Sequence, residues 1–192
     1  MATAQKIELP ALSIQTISLM LIGDSPLIVH AWSEKAKRQM LDKQMKKASK
    51  GKEAKDPEAD YEACFYRTPT GAYGFPAIGV KAAMVSAARY VDAKMTVLRG
   101  AFHIDHEMLT VIGEPRPRED MVRVGMGTAD IRYRPEFPEW RIPVVIKYNT
   151  AAISAEQIAN LLNVAGFGVG IGEWRPERNG SYGRFHVGGS DE

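Results

Sequence analysis

Ile142-Pro-Val-Val-Ile-Lys-Tyr148 begins the stretch that decides the fold, because its β-branched residues predict a strand. Ser154 and Gln157 then stand at the spacing of a capping box and predict a helix over 155–165. Four alternating glycines follow, and Gly183-Arg-Phe-His-Val187 predicts a closing strand. Each predicted helix can pack on one face of a mostly antiparallel sheet, so the pattern indicates the α+β class.

The other predicted elements lie on the N-terminal side of this stretch. They are strands over 14–22, 61–67 and 72–75, a helix over 34–49 with Ser33 as its N-cap, and a helix over 78–93. Residues 94–141 are irregular, with candidate strands at 108–112 and 129–134. This order predicts one domain over residues 1–192, in which split β-α-β units of the ferredoxin type (RRM-like) are the leading architecture.

The composition excludes several classes of protein. The 192 residues weigh 21.2 kDa and are 45% hydrophobic and 25% charged, which is typical of an ordinary globular protein. No apolar run approaches the roughly 18 residues of a membrane span, and no secretory signal is visible. The single Cys64 excludes an internal disulfide framework and a cysteine-based zinc site. We therefore expect a reduced, intracellular compartment, namely the cytoplasm, and no membrane partner.

The charge is distributed unevenly along the chain. The net charge is only +2, but residues 33–55 contain nine basic and three acidic residues. This +6 segment leaves −4 for the remainder, and a polyanion would bind it with release of counterions. Lys43, Lys46 and Lys47 are therefore candidate nucleic-acid contacts, and residues 49–60 are predicted to form a mobile basic loop. A solvated helix surface with a disordered loop is the alternative.

The glycines Gly166, Gly168, Gly170 and Gly172 would let the backbone approach a ligand or another chain closely. A dinucleotide or phosphate loop lies between a strand and the following helix, whereas these glycines follow a helix and precede a strand. No cofactor is therefore predicted. A packing loop at the end of a helix is the alternative to a binding loop.

The segment His103-Ile-Asp-His-Glu107 contains residue types that ligate metals. Nothing around it predicts the helical spacing of a two-histidine site, so a surface or turn cluster is favoured and no metal is predicted. A metal-dependent nuclease that uses His103, Asp105 and His106 is kept as an alternative function.

The segment 94–141 takes nearly all of its basic charge from arginine, interleaved with Tyr133, Phe137 and Trp140. Arginine forks suit phosphate contacts, and aromatic rings can stack on unpaired bases. Acidic residues are equally dense here, so salt bridges between subunits explain the same arginines equally well. The candidate nucleic-acid contacts in this segment are Arg123, Arg132 and Arg134.

Three separated segments have the order and placement of motifs from one family. Ser25-Pro-Leu-Ile28 follows the first predicted strand, and Phe75-Pro-Ala-Ile-Gly-Val-Lys-Ala-Ala83 lies between a strand and a helix. The glycine run and Gly183-Arg-Phe-His-Val187 come last. Together these segments resemble the RAMP proteins, the repeat-associated RNA-binding subunits of CRISPR effector complexes. They are similar to that family's Ser-Pro-Leu opening, its Ile-Pro-Gly-Ser-Ser-Leu-Lys-Gly segment and its glycine-rich ending, Gly-Phe-Gly-Arg-Phe. The nearest subgroup is the backbone subunits that polymerise along guide RNA.

The resemblance implies a modified ferredoxin-like palm over about 12–93 and 142–188, with residues 94–141 as an inserted, thumb-like hairpin region. It also implies a groove for single-stranded RNA and head-to-tail packing of subunits. By position, Lys81 and the N-terminus of its helix would contact phosphate.

The resemblance adds further candidate contacts. Val85 stands where the family often has arginine, and Arg89, one turn later, can substitute for it. Arg175 and Arg178 follow the glycine-rich loop and complete the candidate set.

The sequence and the resemblance together favour a non-catalytic protein that binds the sugar-phosphate backbone of a nucleic acid, with single-stranded RNA favoured over DNA. The chain shows no equivalent of the aspartate with which some relatives cut target RNA, so we do not expect an enzyme. Expected partners are the nucleic acid, copies of the chain itself and CRISPR effector subunits. The sequence also resembles phage or prophage proteins, and a phage structural or assembly protein that oligomerises without nucleic acid is the main alternative.

Overall fold

The computed structural model describes residues 11–47, 56–124 and 127–189. Two short 3₁₀ turns, Ala88–Tyr90 and Pro176–Arg178, accompany the strands and helices. No helix within the described ranges is both long and apolar enough to cross a membrane. In chain order the strands are β1 (Ile14–Gly23), β2 (Leu27–Ile28), β3 (Tyr66–Arg67), β4 (Tyr73–Pro76), β5 (Phe102–Ile104), β6 (Met108–Thr110), β7 (Arg116–Val124), β8 (Thr128–Phe137), β9 (Arg141–Asn149) and β10 (Phe185–Val187). The helices are α1 (Glu34–Gln44), α2 (Pro57–Glu62), α3 (Ala77–Ala87), α4 (Met95–Ala101) and α5 (Ala155–Gly168).

The main sheet has four antiparallel strands in the order β10-β1-β9-β5. The central pair, β1 and β9, runs in register from Ile14 opposite Asn149 to Ile22 opposite Arg141. In the chain, α3 lies between β1 and β5, and α5 lies between β9 and β10. The two strand-helix-strand units, β1-α3-β5 and β9-α5-β10, therefore interleave their strands in one sheet. This mixed architecture with antiparallel sheets confirms the predicted α+β class.

Buried and more exposed residues alternate along β9, and this alternation shows which face of the main sheet is covered. The even-numbered residues from Ile142 to Tyr148 are buried, whereas Arg141, Pro143 and Lys147 on the opposite face are exposed. The buried face packs against α3 and α5, whose inward residues have no solvent exposure. These inward residues include Val80, Met84, Ile158 and Leu162.

Two smaller three-stranded sheets flank the main one, in the orders β2-β8-β7 and β3-β4-β6. The long hairpin of β7 and β8 pairs from Arg116 opposite Glu136 to Val124 opposite Thr128. The predicted insertion 94–141 is therefore more ordered than expected, and it contributes both this hairpin and β5, the edge strand of the main sheet. The sequence of β7 is Arg-Pro-Arg-Glu-Asp-Met-Val-Arg-Val. Its many charged residues hide the alternation of apolar and polar residues that would predict a strand.

The segment before β3 differs from the prediction. Residues 57–62 form α2 where a loop and then a strand were expected, because Asp56 accepts the Ala59 amide at 3.1 Å and Pro57 suits the first helical turn. The strand is limited to β3. Residues 48–55, which include most of the predicted mobile loop and the end of the predicted first helix, lie outside the described residues.

α5 approaches β10 closely at Gly166. An added Cβ there would overlap the Phe185 carbonyl oxygen, and a Cβ on Gly168 would lie 3.1 Å from the Tyr90 ring. The helix begins at the predicted capping box, with the Ser154 hydroxyl accepting the Gln157 amide at 3.1 Å. It runs to Gly168, so the first two glycines of the run are helical.

Replacement of Gly166 by alanine tests this packing. We expect Gly166→Ala to lower the free energy of unfolding by about 1–3 kcal/mol, since the methyl group has no room. Gly100→Ala is the control, because Gly100 is an exposed helical glycine with no atom within 4 Å of an added Cβ. It should raise that free energy by about 0.5–1 kcal/mol. Urea denaturation measures both, and equal changes would contradict the assigned contact.

Candidate nucleic-acid interface

The basic arm, residues 33–47, contains α1 and stands apart from the core. The Ser33 hydroxyl caps α1 by accepting the Ala36 amide at 3.1 Å, yet no residue of α1 is buried. Lys47 pairs with Asp42 at 3.1 Å, whereas Lys43 and Lys46 have no acidic partner within the described part of the chain. All three predicted lysines therefore lie on an exposed cationic surface.

The basic arm also exposes apolar side chains. Met40, Leu41 and Met45 are 46%, 54% and 57% exposed. Most helices in proteins gain their stability from packing an apolar face, and an isolated helix of 11 residues is marginal in water. The arm thus lacks the tertiary packing that stabilises α3 and α5.

Lys81 lies at the edge of the main sheet rather than at a helix terminus. Its Nζ donates to Nδ1 of His103 at 3.1 Å and lies 5.9 Å from the centre of the Phe102 ring. Lys147 is the cross-strand neighbour of His103 on the exposed face, and it pairs with Asp105 at 2.5 Å. We name Lys81, His103, Lys147 and Asp105 the edge cluster. It places two amines and an imidazole beside a single carboxylate.

The start of α3 is less available than the resemblance implies. The Ala77 amide donates to the Glu107 carbonyl at 2.9 Å, so one of the amides at the N-terminus of α3 is already occupied.

The candidate metal ligands of the segment 103–107 do not form a metal site. His103 bonds Lys81 and Asp105 bonds Lys147, and no three His, Cys, Asp or Glu side chains converge as a metal site among the described residues.

Two of the predicted arginines meet at Glu177. Arg175 bonds this carboxylate through Nε at 3.2 Å and Nη2 at 3.0 Å, and Arg89 approaches it at 3.9 Å from the end of α3. Arg178 is exposed on the same 3₁₀ turn. The fold therefore brings Arg89, Arg175 and Arg178 to one end of the molecule.

The hairpin arginines are mostly paired within the chain. Arg134 is 7% exposed, and its Nη1 lies 3.3 Å from Asp120. Arg118 bonds Asp120 at 2.8 Å and Glu136 at 3.0 Å. The salt bridges that the acidic residues predicted are thus intramolecular, and Arg134 has little surface to offer a phosphate.

The outer part of the hairpin is more open. Arg132 pairs with Asp130 at 2.8 Å and keeps 39% of its side chain exposed. Arg123 is exposed near the end of β7. These two arginines remain the accessible candidates of the insertion.

The predicted stacking aromatics of the insertion are mostly core residues. Phe137 is 1% exposed and Trp140 is 2% exposed, with the indole Nε1 donating to the Ser25 carbonyl at 2.8 Å. The prediction is wrong for these two rings because tertiary packing covers them. The exposed tryptophans lie outside the insertion, at Trp32 and Trp174. In the sequence, only the polar residues beside these large side chains could have indicated that they are exposed.

The glycine run is explained by packing within the chain. Gly170 and Gly172 have φ values of 69° and 77°. An added Cβ would lie 2.7 Å from Pro176 on Gly170 and 2.5 Å from the Ile28 carbonyl on Gly172. The protein itself fills the space beside these glycines, which favours the packing alternative over a ligand contact.

A contact at His30 links the base of the basic arm to the loop after α5. His30 Nδ1 lies 4.0 Å from Glu173, and burial, reinforced by the nearby Arg134 charge, lowers the pKa of His30. Burial likewise raises the pKa of the Cys64 thiol, which donates to the Tyr133 carbonyl at 3.3 Å. The segment before the basic arm, the hairpin of β7 and β8 and the loop after α5 thus meet in one charged region around His30.

Loss of Asp120 tests the structural role of the hairpin network. We expect Asp120→Ala to lower the free energy of unfolding by about 3–5 kcal/mol, since it leaves the buried Arg134 guanidinium without its carboxylate. Asp42→Ala removes an exposed carboxylate from Lys47 and should change it by less than about 1 kcal/mol. Thermal and urea unfolding give both values, and a small effect of Asp120→Ala would contradict the network.

No family model and no curated protein matches the chain. Among solved structures, it is similar to Cmr6 from Pyrococcus furiosus, with 11% identity over 93% of this chain and 100% of that chain and a TM-score of 0.45. It is also similar to a chain of the Type III-B Cmr-beta complex bound to cognate target RNA, with 8% identity over 92% of this chain and a TM-score of 0.55. The chain spans 59% of the length of that second neighbour. The second likeness shows a shared fold.

Proposed function

We propose that the chain binds single-stranded nucleic acid through its phosphate backbone, favours RNA over DNA, and does not cut it. The observation that carries this proposal is the basic arm, a capped helix rich in lysine with no buried residue. A polyanion laid against the arm would reduce repulsion among its lysines and release condensed counterions.

The edge cluster supplies a second contact for phosphate. Lys81 donates to Nδ1 of His103, so a neutral His103 carries its proton on Nε2. That N–H and the amines of Lys81 and Lys147 are donors suited to phosphate oxygens. Asp105 holds Lys147 at the site but leaves the cluster cationic.

The topology supports a RAMP-type palm. The order β10-β1-β9-β5, with α3 and α5 as its two helical connections, has the strand arrangement of a ferredoxin-like fold. We assign the hairpin of β7 and β8 to the thumb-like insertion, because it lies within residues 94–141. The shared fold, and the cognate target RNA bound in the Type III-B Cmr-beta structure, support RNA as ligand and effector subunits as partners. We extend the proposal to head-to-tail assembly along the strand in a bacterial cytoplasm, and a phage or prophage origin stays a prediction.

Binding should weaken steeply with salt. We expect the affinity for a single-stranded RNA of about 30 nucleotides to fall roughly tenfold or more between about 50 and 200 mM salt, since several phosphates are neutralised. Fluorescence anisotropy measures this, and DNA of the same sequence should bind more weakly. Absence of binding at low salt would overturn the proposal.

Charge removal on the basic arm should weaken this binding. We expect Lys43→Gln with Lys46→Gln to lower the affinity about three- to tenfold at low salt. The control, Lys94→Gln with Arg99→Gln, removes two charges from exposed residues of the α4 region and should change the affinity less than about twofold. Equal losses would show that the net charge, rather than the arm, governs binding.

The exposed Met40, Leu41 and Met45 favour a second candidate, an assembly protein that oligomerises without nucleic acid. It predicts large particles whose 260/280 nm absorbance ratio stays that of pure protein after nuclease treatment. The proposed function instead predicts that particles form or enlarge when RNA is added. Light scattering with dual-wavelength absorbance separates the two.

A further inference from the structure

Trp174 combines exposure with an unusual backbone conformation. It is 43% exposed, and its φ of 54° places a bulky aromatic residue in the left-handed region. Lys46 and Asn179 are the other non-glycine residues with positive φ among those described, and asparagine adopts this conformation readily. Backbone strain of this kind persists only where the surrounding structure imposes it, and it is common at binding sites.

The loop around Trp174 holds that conformation from both sides. The Trp174 carbonyl accepts the Tyr182 amide at 3.1 Å, and an added Cβ on Gly180 would overlap the same oxygen. On the N-terminal side, the Glu173 amide donates to the Ile28 carbonyl at 2.9 Å, and Arg175 Nη1 donates to the Gly172 carbonyl at 3.1 Å. The backbone that presents the indole is therefore fixed before any ligand arrives.

The residues beside Trp174 are charged rather than apolar, since Glu173 and Arg175 flank it and Arg175 pairs with Glu177. Trp174 is the only large hydrophobic residue exposed within 169–184, a segment that the structure describes completely. Arg175 follows it directly, and Arg178 is exposed on the next turn. On the adjoining hairpin, the Arg118 guanidinium lies 4.9 Å from the centre of the Tyr182 ring.

We propose that Trp174 stacks against an unpaired base of the bound strand, while Arg178 contacts the neighbouring phosphate. The inference rests on the proposed function and adds a base contact to its backbone contacts. An exposed aromatic face with an exposed arginine four residues further along the chain suits a nucleobase, because every base presents a π face and carries a phosphate beside it. A protein partner would need a wider apolar patch, which this loop lacks.

Tryptophan fluorescence detects the contact directly. Trp140 is buried in the core, so Trp32→Phe leaves Trp174 as the only exposed tryptophan. We expect a single-stranded oligouridylate of about 12 nucleotides to quench the fluorescence of this variant, because a base covers the indole. An RNA duplex of the same length has no unpaired base and should quench much less.

Affinity for two probes separates stacking from phosphate contacts. We expect Trp174→Leu to weaken binding of the oligouridylate about 5- to 100-fold and Trp174→Phe to weaken it only a few fold, since phenylalanine retains a ring. An abasic oligomer of the same length and charge should bind Trp174→Leu and the wild type equally. The matched control, Trp32→Leu, removes a more exposed tryptophan outside the loop and should change neither affinity more than about twofold.

The outcomes distinguish this inference from the proposed function. Failure of the wild type to bind either oligomer would overturn both. Tight binding of both oligomers, with no quenching and no effect of Trp174→Leu, would overturn the stacking assignment alone. Equal losses from Trp32→Leu and Trp174→Leu would also overturn it, and the quenching result holds even where the leucine variant fails to fold.

Discussion

The antiparallel pairing of β1 with β9 is the interaction on which the rest of the structure depends. It joins two distant parts of the chain over a register that runs from Ile14 opposite Asn149 to Ile22 opposite Arg141. β10 pairs with the free edge of β1, and β5 pairs with the free edge of β9. At one end, the Gly23 amide bonds the Trp140 carbonyl, and an added Cβ on Gly23 would overlap the Trp140 ring. The helices that connect these strands must then share one face of the sheet.

This arrangement explains why the charge of the molecule is divided. The carboxylates of Asp120 and Glu136 pair with arginines of the same hairpin, of which Arg134 is buried, Arg118 is partly buried and Arg116 is exposed. Accessible cations lie on the basic arm, at the edge cluster, beside the loop after α5 and on the outer part of the hairpin at Arg123 and Arg132. Net charge alone says little about such a surface, because the field that a polyanion meets depends on which charges already have partners.

The basic arm and the exposed Trp174 are held in the fold in different ways. The helix of the basic arm has no buried residue, so it gains little stability from tertiary packing. The loop that carries Trp174 is instead held by backbone hydrogen bonds to β2 and to its own end. An exposed cationic helix and an exposed indole on a hydrogen-bonded loop suit a strand that is held mainly by its backbone and aligned by a base.

The sequence by itself determined the local features: the capping box of α5, the N-cap of α1 at Ser33, and the period of β9. Each depends on residues a few positions apart, so propensity and hydrogen bonding specify it without the rest of the chain. Only the tertiary structure decided that β5 joins the main sheet, that β7 is a strand despite its charges, and that Phe137 and Trp140 are buried. It also decided which arginines are paired and that the glycines serve packing. These outcomes depend on contacts between residues far apart in the chain, because burial and pairing are properties of the neighbours that folding brings together.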